Sequence, residues 1–388
     1  MAIGIYYNAY LCDQSYNKIC PINYVFIQFS RVISAVPQAY LTVNIQDPVL
    51  NANNVSFVDE IYNLIISDHS GNEVFRGQID QFTTPGKTTP LGVSDLESYG
   101  TMDHIALYAS SILQNFADIM AIPDPTSTVY GRSFPDGTQI GSALTTLISE
   151  AIAQPNSPVA TLSVGTIQTP NDSTGAPVVI NSTQALYAAS YLEWIHVLSS
   201  LATSDWYLSG VTPGAPGTVF NMVNLLSTDR SDSVILTLTQ GATNNNLVGM
   251  TFSVDRRQMA TKVIVVGAQD GVNQVVVSAE NTVVEAAFGR KERIIPVRAL
   301  DTPATAQVYA NSYLTQVSQK LPLNSIQLYP VQDYAVLQTF SLGDVISLSV
   351  NWKLIQVSRR RMRVMGIVTT ADNQGVERNY LSLKEPTS

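Results

Sequence analysis

The stretch from Phe288 to Leu383 narrows the choice of fold more than any other part of this 388-residue chain. Helix, strand and turn chemistry agree along it. After a Phe288-Gly289-Arg290 turn, Asp301 or Thr302 can cap a helix whose first position suits Pro303. Ala306, Tyr309, Ala310, Tyr313, Leu314 and Val317 recur at three- and four-residue spacing, and Pro322 stops the helix, which is predicted over 303–319. Strands are predicted at 325–329, 345–350, 363–370 and 376–383, with Gly343-Asp344 leading into the second. Asp372-Asn-Gln-Gly375 has the composition of a hairpin turn. No catalytic motif falls in this stretch.

The rest of the chain repeats the strand signal. In runs at 25–29, 40–45, 60–66 and 74–79 the apolar residues alternate with polar ones or cluster as in strands, and Leu41, Val43 and Ile45 share one face of their strand. Ser67 to Asn72 supplies the Gly and Asn that a tight hairpin needs. A strand at 103–108 and a short helix at 110–120 follow, before the Pro-rich break at 122–126. The period then changes. Ile140, Ala143, Leu144, Leu147, Ile148, Ala151 and Ile152 form one apolar stripe of a helix ending before Pro155. A second helix is predicted over 183–202, with Tyr191, Trp194, Ile195, Leu198 and Leu201 on one side, and Asp205-Trp-Tyr-Leu208 leaves it as a strand. Strands resume at 234–239, 250–254, 262–267 and 274–278, the last two joined through Asp270-Gly271.

This order predicts a mainly β chain with an inserted α/β unit. Residues 1–121 read as an N-terminal β domain, 122–233 as the inserted α/β domain, and 234–388 as a second β domain carrying helix 303–319. A chain of this length exceeds one ordinary core, so more than one domain is expected.

Charged residues make up only 13% of the chain, about half the usual share for a soluble protein. Ser, Thr, Asn and Gln fill the gap. Neutral polar groups are cheaper to desolvate than Lys or Glu, so such a surface suits a subunit of an assembly. The net charge of −9 argues against a groove that neutralises phosphates, but is compatible with letting DNA pass. The sequence shows neither the usual secretion signal nor a stretch of about 18 apolar residues, so a membrane span and the usual secretion route are not expected. The Asn-x-Ser/Thr triplets at 54, 171 and 181 read as chance matches. Cys12 and Cys20 could meet across a hairpin, although two free thiols are the simpler reading.

Reactive groups are sparse. Gly86-Lys87-Thr88 resembles the tail of a phosphate-binding loop, but Gln81 stands where that loop needs Gly, and Pro85 removes an amide donor. No Gly-x-Ser-x-Gly elbow occurs. His69, His104 and His196 lie in three different contexts without a second ligand at metal spacing. Asp229 and Asp232 flank Arg230 and could form a glycosidase pair, but fit a polar loop better. No cofactor or metal is indicated.

The sharpest charge feature is Arg359-Arg360-Arg361-Met362-Arg363. On an extended segment Arg359, Arg361 and Arg363 point one way and Arg360 the other. In so acidic a chain this stripe reads as a contact with an acidic neighbour or a guarded edge strand, ahead of nucleic acid. These four arginines are the candidate partner contact. Arg256-Arg257 and Arg290-Lys291-Arg293 are weaker versions.

The ordered set of pieces resembles the tail hub proteins of tailed bacteriophages, a group including baseplate hubs, siphophage tail-associated proteins and the related base of type VI secretion spikes. The pieces are Val74-Phe-Arg-Gly-Gln-Ile79, the helix ending near Asp205-Trp206, Val263-Ile-Val-Val-Gly267, Phe288-Gly-Arg-Lys-Glu292, the helix around 304–317 and Leu342-Gly-Asp-Val345. The resemblance covers about residues 40–383, and the segment before residue 35 has no counterpart. It implies two tube-type antiparallel β-barrel domains and a homotrimeric ring at the virion tail tip. Such a ring would join a sixfold tube to a threefold spike or fibre and open for DNA. Its partners would be distal tail or tube proteins, the tape-measure protein and a central spike or fibre. A distal tail ring or adaptor and a cell-wall hydrolase of the tail tip are the alternatives.

Overall fold

A computed structural model of the chain describes residues 7–44, 46–83, 104–121, 132–135, 137–171, 176–180, 184–186, 190–201, 204–209, 217–224, 228–251, 259–267, 274–297, 300, 303–318, 323–328, 337, 339–353 and 355–386. Ile45, the Pro-rich break, Gly86-Lys87-Thr88, Arg256-Arg257, the Asp270-Gly271 step and residues 301, 302 and 322 lie outside them.

The short strand runs assemble into one sheet of 13 strands. Its order is Leu247–Thr251, Leu323–Leu328, Glu377–Lys384, Ile355–Asp372, Tyr24–Val32, Gln38–Asn44, His104–Ser111, Glu73–Thr83, Asn63–Ser67, Asn8–Cys12 and Lys18–Ile22. Val345–Trp352 pairs with the first part of Ile355–Asp372, and Ile235–Thr239 lies parallel beyond it. The other ladders of this sheet are antiparallel, as hairpin-connected runs with one buried face should be.

The fold is therefore mainly β with a helical insertion. Two closed barrels are not what the described residues show, because the strand order is open at both ends. The reason is the strand Ile355–Asp372, whose 18 residues far exceed the usual length. Its second half pairs with Glu377–Lys384 on one side and with Tyr24–Val32 on the other. The N-terminal and C-terminal β units thus share one continuous ladder.

Turn chemistry sets the hairpins. Gly71 and Gly375 adopt φ near +84° and +78°, and Asp68 and Asp372 accept backbone N–H groups within those turns. Inside the roll of the N-terminal strands, Leu11, Ile27, Leu41, Leu64, Ile66 and Leu107 are wholly buried. Cys12 and Cys20 are buried free thiols on neighbouring strands, and burial pushes the Cys12 thiol up to about 11.

The insertion carries the helices Ile140–Ala153 and Tyr191–Leu201. The second begins later than its apolar pattern suggests, because residues 184–186 form a strand paired with Arg132–Phe134. Ser190 and Glu193 cap it reciprocally: Ser190 N–H donates to the Glu193 carboxylate and Glu193 N–H to Ser190 Oγ. The helices pack on a small sheet of Ser163–Ile167, Val219–Val223 and Asp205–Ser209. Trp206 stacks over Phe220, and Phe134 meets Trp194 edge-on.

A further three-stranded sheet, Val276–Glu280, Lys262–Val266 and Glu292–Pro296, supports the helix Pro303–Val317. The helix Thr282–Phe288 lies between two of its strands in sequence and ends on Gly289 at φ +79°. This sheet and the helix Pro303–Val317 share one apolar core with the insertion, through Val263, Ala306, Ala310 and Leu314.

Gly77 shows how tightly the large sheet is packed, since a Cβ there would lie 2.2 Å from the Ser110 carbonyl oxygen. Gly77→Ala is expected to destabilise the chain by about 1–3 kcal/mol as the ladder to His104–Ser111 shifts. Urea unfolding should show a lower midpoint at an unchanged slope.

Candidate functional site: an arginine run tied to four carboxylates

The arginine run lies where the chain's three parts meet. Leu348 pairs with Arg360 and Val350 with Val357, so one extra residue bulges out of the strand between them. Arg359 occupies the bulge with φ +34°, a backbone region disfavoured for a residue with a Cβ. Beyond it, alternation sends Arg361 and Arg363 to the side of Ser347 and Val345. Arg360 shares a face with Leu348.

Each guanidinium finds a carboxylate of the same chain. Arg359 donates to Asp232 at 2.9 Å and Arg361 to Asp229 at 2.5 Å, both in the loop before Val234. Arg360 pairs with Glu385 near the chain's end, and Arg363 pairs with Asp205 at the start of a strand of the insertion. Burial separates these contacts into two kinds. The Arg363 and Asp205 side chains are 8% and 6% exposed, whereas Asp232 is fully in solvent. The Asp232 pair is therefore screened by solvent and contributes little. The Asp205 pair is desolvated, so removing either member would strand a buried charge.

Two backbone features hold this junction. The carbonyl of Gly343, in a turn at φ +89°, accepts from Arg363 Nε at 3.2 Å. Beside it, buried Asp344 accepts from Thr228 N at 3.2 Å, Arg230 Nε at 2.8 Å and Ser341 N at 2.9 Å. That carboxylate fastens the 228–233 loop to the strand Val345–Trp352, and Ser347 Oγ adds a bond to the Ser231 carbonyl at 2.6 Å. From the N-terminal side Ser34 N donates to the Trp206 carbonyl at 2.8 Å, and its hydroxyl lies 3.5 Å from Asp205 Oδ1. Ser34, Asp205 and Arg363 thus join the N-terminal strands, the insertion and the C-terminal strands at one point.

Sequence reasoning found the arginines but not their partners. Asp205 read only as the first residue of a strand, and Glu385 and Ser34 carried no signal. Gly343-Asp344 was visible as a turn, without its role as an anchor.

Asp229 has its carboxyl held below the ordinary range by the Ser231 hydroxyl and N–H, with Arg361 adding to the effect. A glycosidase acid needs the opposite, a carboxyl pushed up so that it holds a proton near neutrality. His196 rests edge-on against Trp206, and burial lowers its pKa. Among the described residues no group of three His, Cys, Asp or Glu side chains could hold a metal ion. Arg290 bonds Glu292 at 2.8 Å, and Arg293 donates to the Tyr313 hydroxyl at 3.1 Å. Among the described residues no helix is long and apolar enough to cross a membrane.

No family model and no curated protein sequence matches the chain. Solved structures match it along nearly its whole length. The 43 kDa tail protein of prophage MuSo2 from Shewanella oneidensis superposes with a TM-score of 0.62 at 12% identity, over 98% of this chain and 99% of that one. The tail protein from Neisseria meningitidis MC58 gives 0.59 at 12% identity, over 98% and 96%. The prophage tail protein gp18 from Listeria monocytogenes EGD-e gives 0.53 at 12%, over 97% and 94%. The chain has the fold of these phage tail proteins, which agrees with the resemblance carried by its ordered motifs.

Asp205→Ala is expected to cost about 3–5 kcal/mol in chemical denaturation, whereas Asp232→Ala should leave the midpoint essentially where it is. Because Asp229 titrates low, its contribution is present above the ordinary carboxylate range and is lost as pH falls through its lowered value. Ser231→Ala should move the Asp229 titration upward in carboxyl-detected NMR, and an unchanged value would refute the assigned cause.

Proposed function

We propose that this chain is a structural subunit of a phage tail hub. It would form a threefold ring at the tail tip that joins the tail tube to a central spike or fibre and lets DNA through. The observation that carries this reading is the match in fold, end to end, to phage tail proteins of nearly the same length. A match in both coverage directions leaves little of this chain for a separate catalytic domain, which favours a mechanical role without catalysis.

The low overall charge suits broad neutral contacts with tube, tape-measure and spike proteins. Arg359 and Arg361, about half exposed beside Asp232 and Asp229, are the part of the arginine run still open to a partner.

Purified full-length chain imaged by negative-stain microscopy should give rings with threefold symmetry and a central hole, and native mass spectrometry should give a trimer. A hexamer would instead identify a distal tail ring. A solid globule, or a lysis band in a cell-wall zymogram, would refute the hub assignment.

A further inference from the structure

The strand Glu73–Thr83 has two neighbours along its first part and one along its last. Asn63–Ser67 runs beside it as far as the pairing of Asn63 with Gln78, and one more bond joins Ile79 N to the Tyr62 carbonyl at 2.9 Å. On the other side the pairing with His104–Ser111 continues past a bulge at Asp80 as far as Thr83. Beyond Ile79 the segment before Asn63 parts from the strand. Among the described residues no strand pairs with 80–83 on that side. An open edge of this kind is a template for an added strand.

The wedge between the parting segments is a cavity of about 210 Å³, lined by residues 57–62 and 79–82. It has room for a large side chain, since a cavity of about 150 Å³ holds a benzene molecule. Its border is apolar. Val58 is 80% exposed, Ile61 55% and Phe82 40%, and the rings of Phe57 and Phe82 lie 6.2 Å apart. Bare apolar groups gathered at one cleft mark a binding surface, which singly scattered ones do not.

Charge selects what fits there. The cleft is lined by Asp59, Glu60 and Asp80, and by no Lys, Arg or His. Among the described residues the partners of these carboxylates are neutral. Ser56 Oγ donates to Asp59 at 2.6 Å, the Tyr62 hydroxyl donates to Glu60, and the Ser110 hydroxyl and N–H donate to Asp80. Desolvation by its neighbours pushes the Asp80 carboxyl up against the pull of those Ser110 bonds, and the charge of Asp118 adds to the rise. Covering the cleft with an uncharged apolar surface would desolvate three carboxylates without compensation. Covering it with the same cleft of a second copy would bring six together, and the chain as a whole carries a net charge of −9. A partner with cations among its apolar groups meets both demands.

We propose that this cleft takes an extended segment of another protein, one bearing apolar side chains together with Lys or Arg. The segment adds as a strand along 80–83, seats an apolar side chain against Val58, Ile61 and Phe82, and sets its cations against Asp59, Glu60 and Asp80. The inference goes beyond the hub reading and holds whether or not the chain forms a ring.

The test uses the full-length chain and a short fluorescein-labelled peptide of alternating valine and lysine, followed by fluorescence anisotropy. The peptide should bind, and amide hydrogen exchange should slow at 80–83 when it does. Affinity should fall at least about tenfold when Asp59→Asn, Glu60→Gln and Asp80→Asn are combined, and again when Val58→Ser is combined with Ile61→Ser. All five side chains lie at the surface, so the urea midpoint of both variants should stay near that of the parent chain. A peptide with glutamate in place of lysine should not bind. The proposal is overturned if the valine–lysine peptide fails to bind, if either variant binds it unchanged, or if protection appears only outside 80–83. Equal affinity for a serine–lysine peptide would reduce the effect to general attraction by an acidic protein and would overturn it too. A changed oligomeric state of the Val58→Ser, Ile61→Ser variant in native mass spectrometry would show that a copy of this chain fills the cleft, against the partner proposed.

Discussion

The backbone ladder of the strand Ile355–Asp372 is the constraint on which the molecule depends. Its first half closes on Val345–Trp352, and its second half is flanked on both sides, by Glu377–Lys384 and by Tyr24–Val32. A strand paired on both sides satisfies every backbone donor and acceptor along that part, so it cannot be shifted by one residue without turning the side chains of its neighbours to the wrong face. Ile367 faces one core and Ala371 another, so a single element serves two clusters. Residues more than 300 positions apart are thereby held in one sheet.

The polar junction follows from that ladder. The strand carries Arg363 to the point where Asp205 leaves the insertion and Ser34 leaves the N-terminal strands. A desolvated ion pair contributes little net stability compared with a well-packed apolar pair, but it penalises every arrangement that separates its members. Asp344 acts in the same way on the 228–233 loop, where three donors converge on one buried carboxylate. Near this point the chain replaces apolar packing with directional contacts, which fix how the insertion is set against the sheet.

Away from the junction the sheet faces are of a different kind. Across the middle of the large sheet Thr370, Gln28, Tyr40 and Tyr108 form one cross-strand row of hydroxyl, amide and aromatic groups, the first three of them buried. On the smaller sheet the outward row is Ile264 with Ile294. Neither surface places converging acids, bases or metal ligands.

Local chemistry determined the elements that carry their own periodicity. The stripe from Ile140 to Ala151 sufficed for its helix, Pro303 and the Ala306-Ala310-Leu314 spacing for another, and Gly71 and Gly375 for two hairpins. The helix Thr282–Phe288 escaped notice because seven residues give barely two turns of periodicity. The start of the helix at Tyr191 was misplaced because its apolar pattern continues into a strand pairing. The arginine run was legible as a cationic stripe seeking acids, but Asp205, Asp229, Asp232 and Glu385 became its partners only through folding. Whether the β units close into barrels or share a sheet, and which core receives the helix Pro303–Val317, were likewise decided by tertiary structure. The physical reason is that hydrophobic periodicity fixes which face of an element is buried, whereas backbone pairing and desolvated ion pairs between distant segments decide against what it is buried.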